Sequence, residues 1–411
     1  MLLRLATRSP RASKREAAPS VIRIVDVINL ASSAKEMLLN RLRILHRPPV
    51  VENWIVCSSG SHVRLLRAAG IPVTVINTTR GLEPTKLGRA TVQLAQFFRR
   101  SKPDIVHTHC SIPGLVGRIA ARLAGVPVVM HTVHGFHFHE CSSRASRTIY
   151  SAAERTLAAI SDALLTENHE DLHVIKRWRR PRVHAQMVGN GIDIDRYAQF
   201  ARHHTEPGRI VTCIARFDPI KNHRDLLHVF ARVHAQLSHA RLRLIGDGAL
   251  RPQCEQLAAD LGIAGVTDFL GYREDVERLL ADTDVAVLLS WKEGMSRALL
   301  EPMAAGIPAV AWRVKGNREL IRSSQTGLLA AVGDLDETAA HIVHLLSDFG
   351  LRARLGAAAA ESVRNSFDEI RVAERLRRVY GSLLENAGYV LPPQWHPVLR
   401  KETCARTVLS A

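Results

Sequence analysis

Two glutamates in one short segment are the residues of this chain best suited to chemistry. Glu293 stands just before a run of helix-forming residues, and Glu301 stands inside that run, eight positions later. Ser296 is a residue type that caps helix N-termini, so it is predicted to begin the helix, and the sequence Gly-Ile-Pro at 306–308 is predicted to end it. Eight helical residues span about 12 Å. The two carboxylates therefore cannot hold one atom, but they suit the two ends of an extended ligand.

Apolar runs flank this segment on both sides. Residues 284–290 are predicted to form a buried strand that leads into the loop, and residues 308–311 a second strand after the helix at 298–305. Pro302 is expected in the first helical turn, where proline is tolerated. Ligands of parallel sheets bind at the carboxyl ends of the strands, and a helix N-terminus attracts anions. Two isolated glutamates most often lie on an ordinary solvated surface. The strands that flank this segment favour instead a nucleotide-sugar site, with the diphosphate between the two acids.

A second group of candidate residues follows the predicted strand at 209–214. Arg216 and Lys221 lie just beyond its carboxyl end. Two cations at such a position can neutralise a diphosphate and stabilise it as a leaving group. An ordinary basic loop would have the same composition, so this interpretation depends on the glutamate segment in the same half of the chain.

Histidines are concentrated at residues 131–140, where four of them follow a predicted strand. A metal site is disfavoured, because an open loop has no helix to present ligands four residues apart and rarely sets tetrahedral geometry alone. His134 is instead expected to contact a sugar at a cleft. His107 and His109 alternate along one strand face, which is equally consistent with a structural role.

Other motifs point away from several functions. The Asp-x-Asp strings at 193–195 and 282–284 are interpreted as solvated caps rather than metal ligands. The turn Gly246-Asp-Gly248 lacks the third glycine of a dinucleotide fingerprint, because position 251 is Arg, so nicotinamide binding is not supported. The sequence also contains no Gly-x-Ser-x-Gly motif and no Walker loop.

The fold class predicted from the alternating pattern of strands and helices is α/β, with two doubly wound Rossmann-like domains facing a central cleft. A chain of 411 residues is too long for one core and suits two domains. The predicted strands are 21–25, 54–57, 73–76, 104–107, 128–130, 209–214, 241–245 and 266–270, and the predicted helices are 113–124, 225–237, 252–261 and 367–384.

The predicted domain boundaries follow changes in composition. Residues 1–20 are interpreted as a disordered basic arm, and residues 21–200 and 209–366 as the two domains, joined by a polar bridge at 201–208. The segment 367–387 is predicted as a helix that packs back on the first domain, and 388–411 as a tail.

The charge of +17 and the pI near 10.3 predict attraction to an anionic partner. Nucleic acid is disfavoured, because no helix-turn-helix or zinc-finger spacing occurs and aromatic residues make up only 5%. Peripheral contact with an anionic membrane is favoured over nucleic acid, and a basic surface without a specific partner is the next alternative. No segment is apolar for the length that a membrane-spanning helix needs. Six cysteines without a Cys-x-x-Cys pair predict reduced thiols, and so a cytoplasmic protein or one at the inner face of the membrane.

Together these motifs resemble retaining glycosyltransferase family 4, which has the two-domain GT-B fold. The resemblance extends from about residue 100 to 380 and is strongest at 209–334. It implies that Glu293 contacts hydroxyls of the transferred sugar near the reacting carbon and that Glu301 binds the ribose. It also implies that Arg216 and Lys221 bind the diphosphate and that His134 contacts the donor sugar.

The same resemblance implies roles for several backbone segments. The amides of Met295, Ser296 and Arg297 would bind the diphosphate, and the backbone at Tyr272 and Arg273 would hold the base. The run Asn-Gly-Ile-Asp at 190–193 matches the family's link into the donor half, and Gly-Asn-Arg-Glu-Leu-Ile at 316–321 matches a further family loop.

The chain departs from the family in one segment. Residues 27–33 follow the first strand and contain no glycine, where the family usually has a glycine-rich loop. Ser32 and Ser33 are the small residues that stand there. A milder change is Ala215, where the family often has glycine before the arginine.

The implied activity is transfer of a sugar from a nucleotide-diphosphate donor with retained anomeric configuration and without a metal or other cofactor. The runs at 134–140 and 316–319 look most like bacterial enzymes that build surface polysaccharide on lipid-linked sugars from UDP-N-acetylhexosamines. A natural-product transferase with a small, soluble acceptor is an alternative. Rivals from other classes are a nucleotide-sugar epimerase and a binding protein without catalysis, and the four charged residues Glu293, Glu301, Arg216 and Lys221 argue against both.

Overall fold

The computed structural model describes residues 21–78, 81, 83–136, 143–178, 183–200 and 209–395. The predicted arm at 1–20, the bridge at 201–208 and the part of the tail after residue 395 lie outside the described residues. So do His137 and His139 of the histidine-rich run.

The first half of the chain forms a sheet of seven parallel strands in the order β3-β2-β1-β4-β5-β6-β7. Its strands are β1 (Ile22–Leu30), β2 (Val51–Ser58), β3 (Val73–Val75), β4 (Ile105–His109), β5 (Val128–Val133), β6 (Ala163–Thr166) and β7 (His184–Met187). Its helices are α1 (Ala31–Met37), α2 (Leu39–Leu45), α3 (His62–Ala68), α4 (Pro84–Ser101), α5 (Ser111–Ala124), α6 (Arg144–Ala158) and α7 (His169–Arg177). The next helix, α8 (Ile194–Ala198), packs on the second half.

The second half forms a sheet of six parallel strands in the order β10-β9-β8-β11-β12-β13. Its strands are β8 (Ile210–Ile214), β9 (Arg241–Ile245), β10 (Thr267–Gly271), β11 (Val285–Leu288), β12 (Ala309–Trp312) and β13 (Gly327–Ala330). Its helices are α9 (His223–Gln236), α10 (Arg251–Asp260), α11 (Val276–Leu280), α12 (Arg297–Ala304), α13 (Asn317–Leu320), α14 (Leu335–Ser347) and α15 (Phe349–Phe367). The last helix, α16 (Glu369–Asn386), returns to the first half.

Both sheets reverse their strand order at one point, between β1 and β4 in the first and between β8 and β11 in the second. Such switch points leave a crevice at the carboxyl ends of the strands. The predicted fold class is therefore confirmed. All the predicted strands exist, although β1, β2, β4 and β5 are longer than predicted. No helix within the described ranges has the length and apolar character needed to cross a bilayer.

The chain passes between the halves twice. It enters the second half at residues 188–194, whose Ile192 and Ile194 belong to the second half's apolar core. It returns at Asp368, which separates α15 from α16. The helix predicted at about 367–384 is confirmed, and it begins at Glu369 because the Asp368 side chain caps it by accepting from the Ile370 amide. Helix α16 packs on the β1, β4 and β5 side of the first sheet.

The two crossing segments pair with each other. Ile192 donates its amide to the Phe367 carbonyl at 2.9 Å, and the Glu369 amide donates to the Ile192 carbonyl at 3.0 Å. A buried ion pair joins Arg41 of α2 to the Glu369 carboxylate at 3.0 Å. This junction fixes the point about which the halves meet.

Candidate active site

The candidate site lies at the switch point of the second sheet, where β8 and β11 end side by side. Lys221 is in a single 3-10 turn after β8, and Glu293 is in the loop after β11. The Lys221 ammonium nitrogen lies 2.6 Å from the Glu293 carboxylate oxygen Oε1. Glu293 is only 8% exposed. The structure therefore brings together one cation and one acid that the sequence predicted for the same site.

The turn that carries Lys221 is held by hydrogen bonds to the loop that carries Glu293. Asn222 has a left-handed backbone, with φ of 54°. Its side-chain amide donates to the Leu289 carbonyl at 3.3 Å, and the Trp291 amide donates to the Ile220 carbonyl at 2.9 Å. These hydrogen bonds hold the turn that carries Lys221 beside the loop that carries Glu293.

Arg216, the other predicted cation, points elsewhere. Its guanidinium pairs with the Asp218 carboxylate at 3.0 Å, and its side chain is 74% exposed. The loop below it packs closely on the turn at 246–248. A Cβ added at Gly246 would lie 2.1 Å from the Ala215 carbonyl oxygen, so this glycine permits the packing.

The N-terminus of α12 faces the same crevice. Ser296 occupies the N-cap position with extended backbone, but its side chain makes no capping hydrogen bond. The amides of Met295, Ser296 and Arg297 have no acceptor among the described residues. These N–H groups and the helix dipole can bind an anion. The expectation for Pro302 was wrong, since it is the sixth residue of the helix rather than part of the first turn.

Glu301 lies on α12 one turn after Arg297, which contacts it at 3.2 Å. The Arg297 guanidinium also donates to the Gly191 carbonyl at 3.0 Å, so it ties α12 to the crossing segment. Burial raises the pKa of the Glu301 carboxyl, while Arg297 and the Tyr197 phenol oppose this shift. Glu301 is thus a buried acid with partners already in place, separate from the Lys221–Glu293 pair.

The predicted base-binding segment lies at the carboxyl end of β10. Tyr272 is 52% exposed, and its hydroxyl lies 3.5 Å from the Lys35 ammonium of the first half. Lys35 also pairs with Glu274. Arg273 points outward and forms a two-bond ion pair with Asp275 at 2.8 and 2.7 Å. Lys35 thus links the side chains of Tyr272 and Glu274 to the first half.

His134 comes from the first half, directly after β5, and both of its ring nitrogens are engaged. Nδ1 lies 2.6 Å from the Glu167 carboxylate, and Nε2 lies 3.1 Å from Nδ1 of His109. The ring is held inside the first half. The backbone of His134 contacts the glutamate loop, because a Cβ added at Gly294 would lie 2.5 Å from the His134 carbonyl oxygen.

Polar contacts across the cleft centre on the N-terminus of α7. The Glu319 carboxylate accepts from the amides of His169 and Glu170 at 2.8 and 2.9 Å. Arg318 pairs with the Glu170 carboxylate at 2.7 Å, and Lys315 pairs with Asp171 at 2.6 Å. We call this group of contacts the α7 clamp.

The sequence analysis missed the α7 clamp, although it quoted the run at 316–321 that supplies half of it. The signal that could have found it is the acidic first turn of α7, which complements the basic residues before and within α13. A further cation beside the site was also missed. Lys292 precedes Glu293, and burial together with nearby Lys315 lowers its pKa to about 8.

The Asp-x-Asp strings have structural partners. Asp193 caps α8 through the Arg196 amide at 3.2 Å. Asp282 forms a two-bond pair with Arg243 at 2.6 and 3.0 Å. Asp284 is not the predicted solvated cap, because it is 7% exposed and accepts two amides at the start of β8.

One cluster in the described part of the chain has metal-like spacing, namely Asp26, His107 and His109. The ligand atoms of these residues are hydrogen bonded within the sheet and to Tyr380.

Two doubly wound sheets that meet at a crevice, with an acid, a cation and a free helix N-terminus at the second switch point, define the GT-B class of glycosyltransferases. The sequence agrees with this assignment along both halves. The family model for glycosyl transferases group 1 matches residues 208–348, and the model for the glycosyl transferase 4-like domain matches residues 35–191. The chain belongs to this family and is a glycosyltransferase of the GT4 type.

Curated relatives agree with the family. The chain is similar to a UDP-Gal:alpha-D-GlcNAc-diphosphoundecaprenol alpha-1,3-galactosyltransferase of Escherichia coli, at 26% identity over 88% of this chain and 97% of the relative. It is 30% identical to the putative glycosyltransferase EpsD of Bacillus subtilis, over 71% of this chain and 80% of EpsD.

Solved structures share the fold. The Anabaena protein HepE, in complex with UDP and glucose, superposes with a TM-score of 0.74 at 20% identity, over 88% of this chain and all of HepE. The sucrose-phosphate synthase of Thermosynechococcus elongatus superposes with a TM-score of 0.74 at 17% identity, over 89% of this chain and all of the synthase.

Proposed function

We propose that this protein transfers a sugar, specifically an N-acetylhexosamine, from a UDP-sugar to a lipid-linked or polysaccharide acceptor with retention of configuration. The observation that carries the proposal is the Lys221–Glu293 pair at the second switch point, 2.6 Å apart beside the free amides of α12. The Escherichia coli relative is named for UDP-Gal and a diphosphoundecaprenol acceptor, and HepE was solved with UDP and glucose.

The donor diphosphate would bind between Lys221 and the amides of Met295, Ser296 and Arg297. Lys221 would then exchange its contact with Glu293 for a phosphate oxygen, and the freed Glu293 carboxylate would accept hydrogen bonds from sugar hydroxyls near the reacting carbon. Arg216 would join the diphosphate by leaving Asp218, a movement that its exposure permits. Positive groups that are already in place stabilise the negative charge that develops on the leaving group, because they need not reorganise during the reaction.

The reaction would proceed on one face of the sugar. The bond from the anomeric carbon to the β-phosphate oxygen breaks, and the acceptor oxygen forms its bond to the same face. The acceptor's proton passes to an oxygen of the departing diphosphate. Lys221, Arg216 and the α12 N-terminus supply the neutralising charge, so no metal is needed, and turnover should persist in EDTA.

The rest of the donor would extend along the second half. Glu301 would accept the ribose hydroxyls in place of its contact with Arg297, and the backbone at Tyr272 and Arg273 would hold the base. The His134 ring, held by His109 and Glu167 on its two nitrogens, would lie against the donor sugar.

A basic surface would bring the enzyme to its acceptor. The first half carries a cavity of about 700 Å³ between β3 and α4, lined by Lys86, Arg89 and Arg100. We include in the proposal a peripheral contact of this half with anionic lipid at the inner face of the membrane. Vesicles containing phosphatidylglycerol should retain the protein at low salt and release it at high salt.

The proposal is tested by a donor screen with mass-spectrometric detection, which uses UDP-GlcNAc, UDP-galactose, UDP-glucose and GDP-mannose. Glu293→Gln should remove most turnover and preserve UDP binding, whereas Lys221→Ala should weaken both. Arg216→Ala is the matched cation variant and should have the smaller effect on UDP binding, because its side chain is already in solvent. Full activity of Glu293→Gln would refute the assignment, and conversion of a donor without any acceptor would indicate an epimerase.

A second candidate function is transfer to a small anionic acceptor. The N-acetyl-alpha-D-glucosaminyl L-malate synthase of Bacillus anthracis is 30% identical over 72% of this chain and 78% of that enzyme. Lys292 supplies a cation beside Glu293, which suits an anionic acceptor. L-malate, inositol 3-phosphate and a polyprenyl diphosphate sugar are therefore the three acceptors to compare in the donor screen.

A further inference from the structure

Four titratable side chains form a continuous hydrogen-bonded chain through the first half, and we call it the His109–His134 relay. Asp26 Oδ1 lies 2.9 Å from Nε2 of His109, and Nδ1 of His109 lies 3.1 Å from Nε2 of His134. Nδ1 of His134 lies 2.6 Å from Oε1 of Glu167. Asp26, His109 and Glu167 are 2%, 0% and 3% exposed, so water is nearly excluded along the relay.

The contacts of the relay use all four ring nitrogens of the two histidines. A neutral imidazole donates from one ring nitrogen and accepts at the other. The hydrogen bond between His109 and His134 therefore couples the tautomer of one ring to that of the other.

The relay lies where the first sheet reverses its strand order. Asp26 is in β1 and faces His107 across the β1–β4 pair, while His109 ends β4. His107 lies beside the relay, with Nδ1 3.5 Å from Asp26 Oδ1, and its two ring nitrogens are hydrogen bonded to Tyr380 and Thr132 at 2.8 and 2.7 Å. Burying four titratable groups is unfavourable unless their hydrogen bonds are complete. Such an arrangement at a switch point is more typical of a functional site than of a core.

The open end of the relay reaches the second half. His134 is 11% exposed on its side chain, and its carbonyl is packed against the backbone of Gly294, the residue after Glu293. Asn168, which follows Glu167, donates its side-chain amide to the Gly294 carbonyl at 3.2 Å. Gly294 is thus contacted by His134, a member of the relay, and by Asn168, which follows Glu167 in the chain.

We propose that Asp26, His109 and Glu167 are positioning residues for sugar transfer. They hold the orientation of His134 and couple its tautomer to that of His109, and through the His134–Gly294 and Asn168–Gly294 contacts they set the position of Glu293. The predicted effect on kcat rests on the proposed function, whereas the predicted hydrogen bonds of His134 do not. The Arg41 guanidinium is the charged group that faces Asp26 and both neighbouring histidines, and it is itself paired with Glu369.

The kinetic test compares two substitutions at one position. His109→Ala removes both relay contacts and should lower kcat by about tenfold to a hundredfold, while the Kd for UDP stays unchanged. His109→Asn keeps an amide near the place of Nδ1 and should recover most of kcat. The control is His131→Asn, since His131 is equally buried in the same sheet but is hydrogen bonded to Thr108. That control should keep the kcat of the wild type.

A spectroscopic test is independent of turnover. In protein labelled with ¹⁵N-histidine, Glu167→Gln should shift the Nδ1 resonance of His134, and His109→Ala should shift its Nε2 resonance. If the wild type turns over no nucleotide-sugar, the proposed function fails while these shifts still decide the relay.

Three outcomes would overturn the inference. The first is equal loss of kcat and of UDP affinity in His109→Ala with no recovery in His109→Asn, which would show a structural role. The second is an unchanged His134 spectrum in Glu167→Gln. The third is stoichiometric zinc in the purified protein that disappears in Asp26→Asn, which would make the cluster a metal site.

Discussion

The buried imidazoles of the first sheet predict that unfolding takes up protons below pH 6.5. His107, His109 and His131 are each at most 2% exposed, and burial lowers the pKa of each well below its usual 6.5. The folded protein keeps these rings neutral where the unfolded chain protonates them. A histidine whose pKa is lowered by folding makes the folded state less stable as the pH falls through the unfolded value.

The size of the effect follows from these values. At pH 5.5 an unfolded histidine carries about 0.9 of a proton and a buried one almost none, so each ring contributes about 1.2 kcal/mol per pH unit. Asp26 acts in the opposite direction, because burial raises its pKa from 3.8 to about 6. Its stabilising contribution is complete below pH 3.8 and is lost as the pH rises through about 6. The four groups together leave a net uptake of about two protons at pH 5.5.

The uptake can be measured directly with a pH electrode when the protein is unfolded by urea in unbuffered solution. At pH 5.5, His107→Gln should take up about 0.9 fewer protons than the wild type. Asp26→Asn should take up about 0.7 more, since it no longer releases a proton on unfolding. Equal uptake by the wild type and His107→Gln would mean that this ring has the same charge folded and unfolded, and it would refute the reasoning from burial.

Three further substitutions test the contacts between the halves. Gly294→Ala should lose most turnover without unfolding, because the added methyl would lie 2.5 Å from a carbonyl oxygen of the other half. The control is Gly350→Ala, whose methyl would have no atom nearer than 3.5 Å, and it should match the turnover of the wild type. Glu319→Gln should open the cleft, and an unchanged radius of gyration in X-ray scattering would contradict this. Arg41→Met should lower the free energy of unfolding by about 3–5 kcal/mol, because it leaves the buried Glu369 carboxylate unpaired; urea titration measures the loss.

The segment around Glu293 was predictable because its signals are local. Residues 285–288 and 309–312 are fully buried strands, and a strand buried on both faces appears in sequence as a continuous apolar run. The error at Pro302 has a local cause as well. Helix α12 packs against α15 and β11, and this tertiary packing stabilises a helix whose interior contains proline, a residue of very low helix propensity.

The contacts between distant residues were not predictable in the same way. His109 and His134 are 25 residues apart and meet only because β4 and β5 are neighbouring parallel strands. The pairing of Lys221 with Glu293 could be inferred, since both follow strands that were predicted in one half. The orientation of Arg216 could not be inferred, because its ion pair with Asp218 is one of several rotamers open to an exposed side chain.

The double passage of the chain between the halves decides how this enzyme can be recombined with others. Helix α16 completes the apolar core of the first half, yet it is encoded after the whole of the second. A chimera that exchanged the first half would have to take residues 21–190 and 369–395 from one parent, with the second half inserted between them. Swapping at a single junction near residue 208 would leave α16 facing the core of a foreign parent.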